Sequence, residues 1–253
     1  MKGKRRTFLK TIAALGTFAA ILPDAVANLP TNYNAEDRDG FTFLFQGDSI
    51  TDGNRTRDSD WNHVMGHGYQ YLIASKWWYD FPQKHFHFFN RGISGNKVTD
   101  LAARWQQDTL DLMPNLLSVL IGINDVSAFI NGDNNFSAEQ YESGYRALLN
   151  ETKQTLPNIR FVLCEPFVLP VGRVKEKWND YFSEVKKRQT AVKKMAAEYN
   201  AIHVPFQQAF NNALANAPAE YWIWDGIHPM PAGHELMAIE WMQQVTKELK
   251  FIK

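Results

Sequence analysis

Short apolar runs alternate along this chain with longer amphipathic segments, and few folds accept that alternation. The runs at about 41 to 47, 86 to 90, 116 to 121, 159 to 165 and 201 to 204 have strand lengths. Between them, the stretches at about 69 to 80, 98 to 110, 137 to 156, 174 to 199 and 232 to 248 read as helices. The clearest is 174 to 199, where Val174, Trp178, Tyr181, Phe182, Val185, Val192, Met195, Ala196 and Tyr199 recur at threes and fours among lysines and glutamates. The last helix follows Pro229 and Pro231, whose fixed φ suits a helix start. Strands joined by crossover helices predict an α/β fold with a parallel sheet. No repeat, low-complexity tract or interdomain linker interrupts the pattern.

The first residues stand outside this scheme. Lys4-Arg5-Arg6-Thr7-Phe8-Leu9-Lys10 is a basic head, Thr11 to Leu22 is apolar, and Ala25-Val26-Ala27 has the small-x-small form of a cleavage site. Spanning a bilayer takes about 20 apolar residues, more than this run offers. Residues 1–27 therefore predict an export signal of twin-arginine type, a periplasmic or extracellular location, and a single domain over 28–253. Without that segment the chain carries 22 Lys and Arg against 26 Asp and Glu. Such a mildly acidic surface offers no basic stripe for nucleic acid and no electrostatic hold on an anionic membrane. The one cysteine, Cys164, lies among Phe161, Val162 and Leu163, which predicts a buried structural thiol.

Chemistry enters where the first apolar run ends, in Gly47-Asp48-Ser49-Ile50. Parallel sheets bind ligands outside the carboxyl ends of their strands, so Ser49 stands where chemistry is expected. A serine hydroxyl needs a base, and the base needs an orienting acid. Asp225 and His228, three residues apart in a turn containing Gly226, can fill those roles. Two more blocks follow strands: Asn90-Arg91-Gly92-Ile93-Ser94-Gly95-Asn96 and Ile121-Gly122-Ile123-Asn124-Asp125. The backbone N–H groups of Ser49 and Gly95 and the Asn124 amide are candidate donors to an oxyanion.

These four ordered blocks resemble the SGNH or GDSL hydrolases. By that resemblance Ser49 is the nucleophile, Gly95 and Asn124 are oxyanion-hole residues, His228 is the base and Asp225 its acid. The resemblance implies a three-layer α/β/α sandwich of flavodoxin-like type with a five-stranded parallel sheet, and neither metal nor cofactor. The α/β-hydrolase elbow Gly-x-Ser-x-Gly is absent, since Thr51 stands at its second glycine. The fuller blocks, with Asp100-Leu101, Arg104-Trp105 and His228-Pro229-x-x-Ala232-Gly233-His234, look like the branch containing bacterial acetyl xylan esterases.

That branch implies an acetylated oligo- or polysaccharide as substrate. A lysophospholipase or thioesterase of the same family is the alternative, though the polar first loop, about 52 to 68, suits a sugar-sized alcohol better than a long acyl chain. A carbohydrate-binding envelope protein without activity would have no use for the complete set of Ser49, Gly95, Asn124, Asp225 and His228. Asp48, Trp61 and Trp224 are the candidate substrate-contacting residues, with Tyr221 and Trp222 just upstream of Trp224. Asp48 and Asp52 can also order the nucleophile turn by accepting backbone N–H bonds. Ser94 beside Gly95 suits a turn, and His63 with His67 lacks a third metal ligand nearby. His85 and His87 alternate on a strand and are expected to be structural.

Overall fold

The computed structural model describes residues 39–58 and 60–250, so the expected export signal lies outside the described residues. Five strands, β1 Thr42–Gly47, β2 His87–Asn90, β3 Leu116–Leu120, β4 Arg160–Cys164 and β5 Ile202–Val204, form one sheet in the order β2-β1-β3-β4-β5. Every neighbouring pair is parallel. Strand residues alternate between two cores. Phe43, Phe45, Phe88, Val162, Cys164 and Val204 face α2 Tyr69–Asp80 and α9 Pro231–Glu248 through Trp77, Met237 and Trp241. Leu44, Leu117, Val119, Phe161 and Leu163 face α3 Val98–Ala103, α5 Ala138–Thr155 and much of α6 Trp178–Glu198. The result is a three-layer α/β/α sandwich, with both sheet faces covered as parallel sheets require.

The cores are aromatic, and both of their fully buried tryptophans find a partner for the indole N–H. Trp241 Nε1 donates to Ser118 Oγ at 2.9 Å, and Trp105 Nε1 donates to Thr152 Oγ1 at 2.9 Å. Phe43 stacks on Phe88 with centroids 4.8 Å apart and meets Trp77 edge-on at 5.2 Å. Each such contact is worth about 0.5–1.5 kcal/mol beyond the area it buries. Cys164 is fully buried in β4, where burial pushes its thiol pKa up.

The expected helix over 98 to 110 divides. α3 stops at Ala103, and Gln106–Leu110 forms a wider π-helical turn. Gln46 explains the division: from β1 its Nε2 donates to Asp108 O at 2.9 Å and to Thr109 Oγ1 at 2.8 Å, drawing that turn onto the sheet. The helix expected from 174 begins as a 3-10 turn, Gly172–Lys177, before α6 takes over at Trp178. Four helices had no expectation attached: α1 Ser49–Asp52, α4 Ile123–Ile130, α7 Phe206–Ala213 and α8 Ala219–Trp222. With four to eight residues each, they are too short for a 3.6-residue period to stand out. No helix among the described residues is long and apolar enough to cross a membrane.

Candidate active site

β1, β2 and β3 are neighbours, so the segments leaving their carboxyl ends share one rim of the sheet. β1 hands the chain directly to α1, whose first residue is Ser49. Asp48 caps that helix, its Oδ1 accepting from Ile50 N at 3.0 Å. After β2, the loop carrying Gly95 turns back against α1: a Cβ on Gly92 would stand 2.3 Å from Asp52 N. Asn90 ties the two segments, donating to the carbonyls of Thr51 at 2.7 Å and Asp52 at 3.1 Å while accepting from Gly92 N at 2.9 Å. After β3, Asn124 sits in the first turn of α4.

From far along the sequence, the turn before α9 brings His228 onto this rim. Its Nε2 lies 2.8 Å from Ser49 Oγ, and its Nδ1 lies 2.8 Å from Asp225 Oδ2. Asp225 Oδ1 takes the backbone N–H groups of His228 at 2.7 Å and Ile227 at 3.0 Å. Burial pushes the Asp225 carboxyl upward, but the bonds from the His228 ring and these two N–H groups outweigh it and hold its pKa at about 2. An ionised Asp225 can only accept, so Nδ1 carries the ring proton and Nε2 is free to accept from Ser49. A serine, base and acid so linked can form and hydrolyse a covalent ester.

The candidate oxyanion donors are unengaged to different degrees. Neither the Ser49 N–H nor the Gly95 N–H has an acceptor among the described residues. Asn124 Nδ2 donates to Asn96 O at 3.0 Å, and its second N–H is free for a ligand. Gly95 holds φ at +85°, a conformation that glycine adopts without strain.

The model of the GDSL-like lipase/acylhydrolase family matches residues 45–236, a span reaching from β1 into α9. The chain belongs to that family. An acetylxylan esterase from Geobacillus stearothermophilus is 32% identical over 222 residues, covering 83% of this chain and 95% of the relative. Among solved structures, a GDSL-like protein from Parabacteroides merdae is 39% identical with a TM-score of 0.78, covering 85% of this chain and 98% of the other. A catalytic mutant of Axe2, an acetylxylan esterase from G. stearothermophilus, is 31% identical with a TM-score of 0.73, covering 81% and 94%. The protein is thus a GDSL-like acylhydrolase, an enzyme of carboxylic ester bonds.

Within this acylhydrolase the expected substrate-contacting residues part company. Trp224 is 61% exposed, and its ring lies at 28° to that of His228 with centroids 6.3 Å apart. Trp61 is exposed on the first loop, and among the described residues no ring contact joins it to the triad. Asp48 is corrected: it is 1% exposed, and its carboxyl faces inward as the cap of α1, where no substrate reaches. His63 pairs with Asp60 at 2.7 Å, and His87 lies at the start of β2 with its Nε2 2.8 Å from Asp39 O.

Four residues make contacts that the sequence did not show. Arg173 places Nη2 3.2 Å from Asp225 Oδ2, beside the triad's acid. Arg104 and Asp52 bind the loop around Gly95. His234 Nδ1 accepts from Tyr69 N at 3.1 Å and so caps α2, whose own N-cap, Gly68, has no side chain to offer. Burial, with His67 and His228 nearby, lowers the His234 pKa to about 4, which keeps the ring neutral as the cap requires.

Beneath the nucleophile, burial raises Asp48 to about 7 against the Ile50 N–H bond and the neighbouring His228, while Asp125 acts upward. An unfolded aspartate titrates at about 3.9. The Asp48 contribution to stability is therefore complete below about pH 4 and is lost as pH rises through about 7. Asp48→Asn keeps an acceptor for Ile50 N–H and removes this slope. Its stability relative to the parent is expected to improve by about 3–4 kcal/mol between about pH 4 and pH 8. Urea unfolding at both pH values checks this, and an unchanged difference would contradict it.

Proposed function

We propose that this acylhydrolase is a carbohydrate O-acetylesterase working through an acyl-enzyme on Ser49. The observation that carries the mechanism is the continuous chain Ser49 Oγ, His228 Nε2 at 2.8 Å, and His228 Nδ1 to Asp225 Oδ2 at 2.8 Å. Ser49 Oγ attacks the ester carbonyl as its proton passes to His228 Nε2. Asp225 stabilises the imidazolium, and the carbonyl oxygen takes its negative charge against Ser49 N–H, Gly95 N–H and the free N–H of Asn124. Collapse of this intermediate breaks the bond to the alcohol, which leaves with the proton from His228. Water then gives a proton to His228 and attacks the acetyl-serine, and collapse of the second intermediate breaks the bond to Ser49 Oγ, which takes that proton back as acetate leaves.

Three things support an acetylated carbohydrate as substrate. A relative at 32% identity bears the name acetylxylan esterase. Trp224 offers an exposed indole face beside the base, suited to a sugar ring. Residues 1–27, read as an export signal, agree with a polysaccharide substrate outside the cytoplasm.

The test is acetate release from acetylated xylo-oligosaccharides beside nitrophenyl acetate and a lysophospholipid. A higher kcat/KM on the oligosaccharide than on the simple ester is expected. Preference for the lysophospholipid would move the enzyme to lipid substrates. Trp224→Ala should raise KM for the oligosaccharide about tenfold, the equivalent of a lost stacking contact, and leave KM for nitrophenyl acetate nearly unchanged. Equal effects on both substrates would remove Trp224 from sugar recognition.

A further inference from the structure

We infer that Asp52 and Arg104 are positioning residues that hold the Gly95 amide from its two neighbours and so fix where it meets the developing oxyanion. The inference rests on the acyl-enzyme reading above.

Gly95 cannot fix itself. It is exposed, its N–H has no acceptor among the described residues, and a Cβ built on it would meet nothing within 4 Å. A donor to an oxyanion has to be held within about 0.5 Å to be useful. What holds this one lies on either side. Ser94 gives both its backbone N–H, at 2.9 Å, and its hydroxyl, at 3.0 Å, to Asp52 Oδ2. Asn96 accepts on Oδ1 from Arg104 Nε at 2.9 Å.

Each anchor is itself anchored. Asp52 closes the short helix that Ser49 opens, its N–H on Asp48 O at 2.7 Å, so its grip sets Ser94 relative to the nucleophile's own helix. The carboxylate is held by Arg57 through Nη1 at 2.9 Å and Nη2 at 2.7 Å, and by Arg55 N at 3.2 Å. Burial works upward on its pKa, but the Arg57 and Ser94 bonds prevail and keep it below the ordinary carboxylate range. Arg104 is steadied by Asp108, with Nη1 at 2.7 Å from Oδ2. Asn96 O accepts from Asn124 Nδ2 at 3.0 Å, so Arg104 also steadies the residue that orients the third oxyanion donor.

Asp52 and Arg104 therefore act on the transition state and hardly on the bound ester. Misplacing a reacting or stabilising group by about 1 Å costs up to about 10²-fold. In Asp52→Asn the single amide oxygen cannot serve Ser94 and both Arg57 nitrogens together, and Arg104→Met has no N–H to give Asn96. With nitrophenyl acetate, kcat is expected to fall about 10- to 100-fold in each while KM stays within about twofold. Phenylboronic acid, which forms a tetrahedral adduct on a reactive serine, should bind more weakly by the same factor. Arg104→Lys, retaining a donor for Asn96, should recover part of the loss.

A merely structural pair would lower the unfolding temperature and leave kcat and boronate affinity of the folded enzyme as in the parent. That result would overturn the proposal. If Asp52→Asn does not fold, Ser94→Ala, which removes only the hydroxyl bond, takes its place beside Arg104→Met with the same two readouts. Fluorophosphonate labelling of the parent keeps the two readings apart. A labelled parent with full kcat in both folded variants defeats the positioning role alone. An unlabelled parent defeats the acyl-enzyme, and the inference with it.

Discussion

Ser49→Ala is expected to lower kcat by about 10⁶-fold while the protein unfolds at the same temperature as the parent. The size follows from what is lost. Water attacking the ester directly has no alkoxide-like partner held against the carbonyl, and only binding and the oxyanion donors remain to help. The fold should be indifferent, because Ser49 contributes no cap: the α1 cap bond runs from Ile50 N to Asp48 Oδ1. Among the described residues the hydroxyl's one hydrogen bond is to His228, partly exposed at the rim. Initial rates on nitrophenyl acetate with a thermal unfolding curve check both halves. A stable Ser49→Ala enzyme retaining substantial turnover would remove Ser49 from the reaction and leave Ser94, the neighbouring hydroxyl on the same rim, to be tested.

Asp225→Asn should cost about 10⁴-fold in kcat, almost without change in KM. The amide is the same size, and its oxygen can still accept from the N–H groups of His228 and Ile227, so the turn survives. What changes is the ring. Facing Nδ1, the amide's NH₂ is a donor, which favours the tautomer with the proton on Nε2, and Ser49 Oγ then meets a donor in place of a base. The ionised Asp225, held at about 2, also stabilises the imidazolium formed during attack, and a neutral amide does not. A kcat within about tenfold of the parent would mean that the 2.8 Å contact to Nδ1 is structural only.

Much of this was legible in the sequence for physical reasons. Buried parallel strands are short and continuously apolar, so their ends could be placed within about a residue, and with them the rim that carries Ser49, Gly95 and Asn124. Asp225 and His228 were legible because a single turn holds both. What escaped is pairing across distance. Asn90 reaching the carbonyls of α1, Gln46 reshaping the turn at Asp108, Arg173 arriving beside Asp225 and His234 capping α2 are each one polar side chain meeting a segment far away in sequence. No periodicity marks such residues, because one contact leaves no repeat. Asp48 misled for a related reason: its neighbour is exposed chemistry, yet the cap geometry of α1 turns its carboxyl inward.

The most direct test of the acyl-enzyme is the intact mass of the protein after treatment with a fluorophosphonate, followed by peptide mapping. One adduct per chain on the peptide containing Ser49, absent from Ser49→Ala, is the expected result. No adduct on the folded enzyme, or an adduct carried by Ser94 and retained in Ser49→Ala, would contradict it.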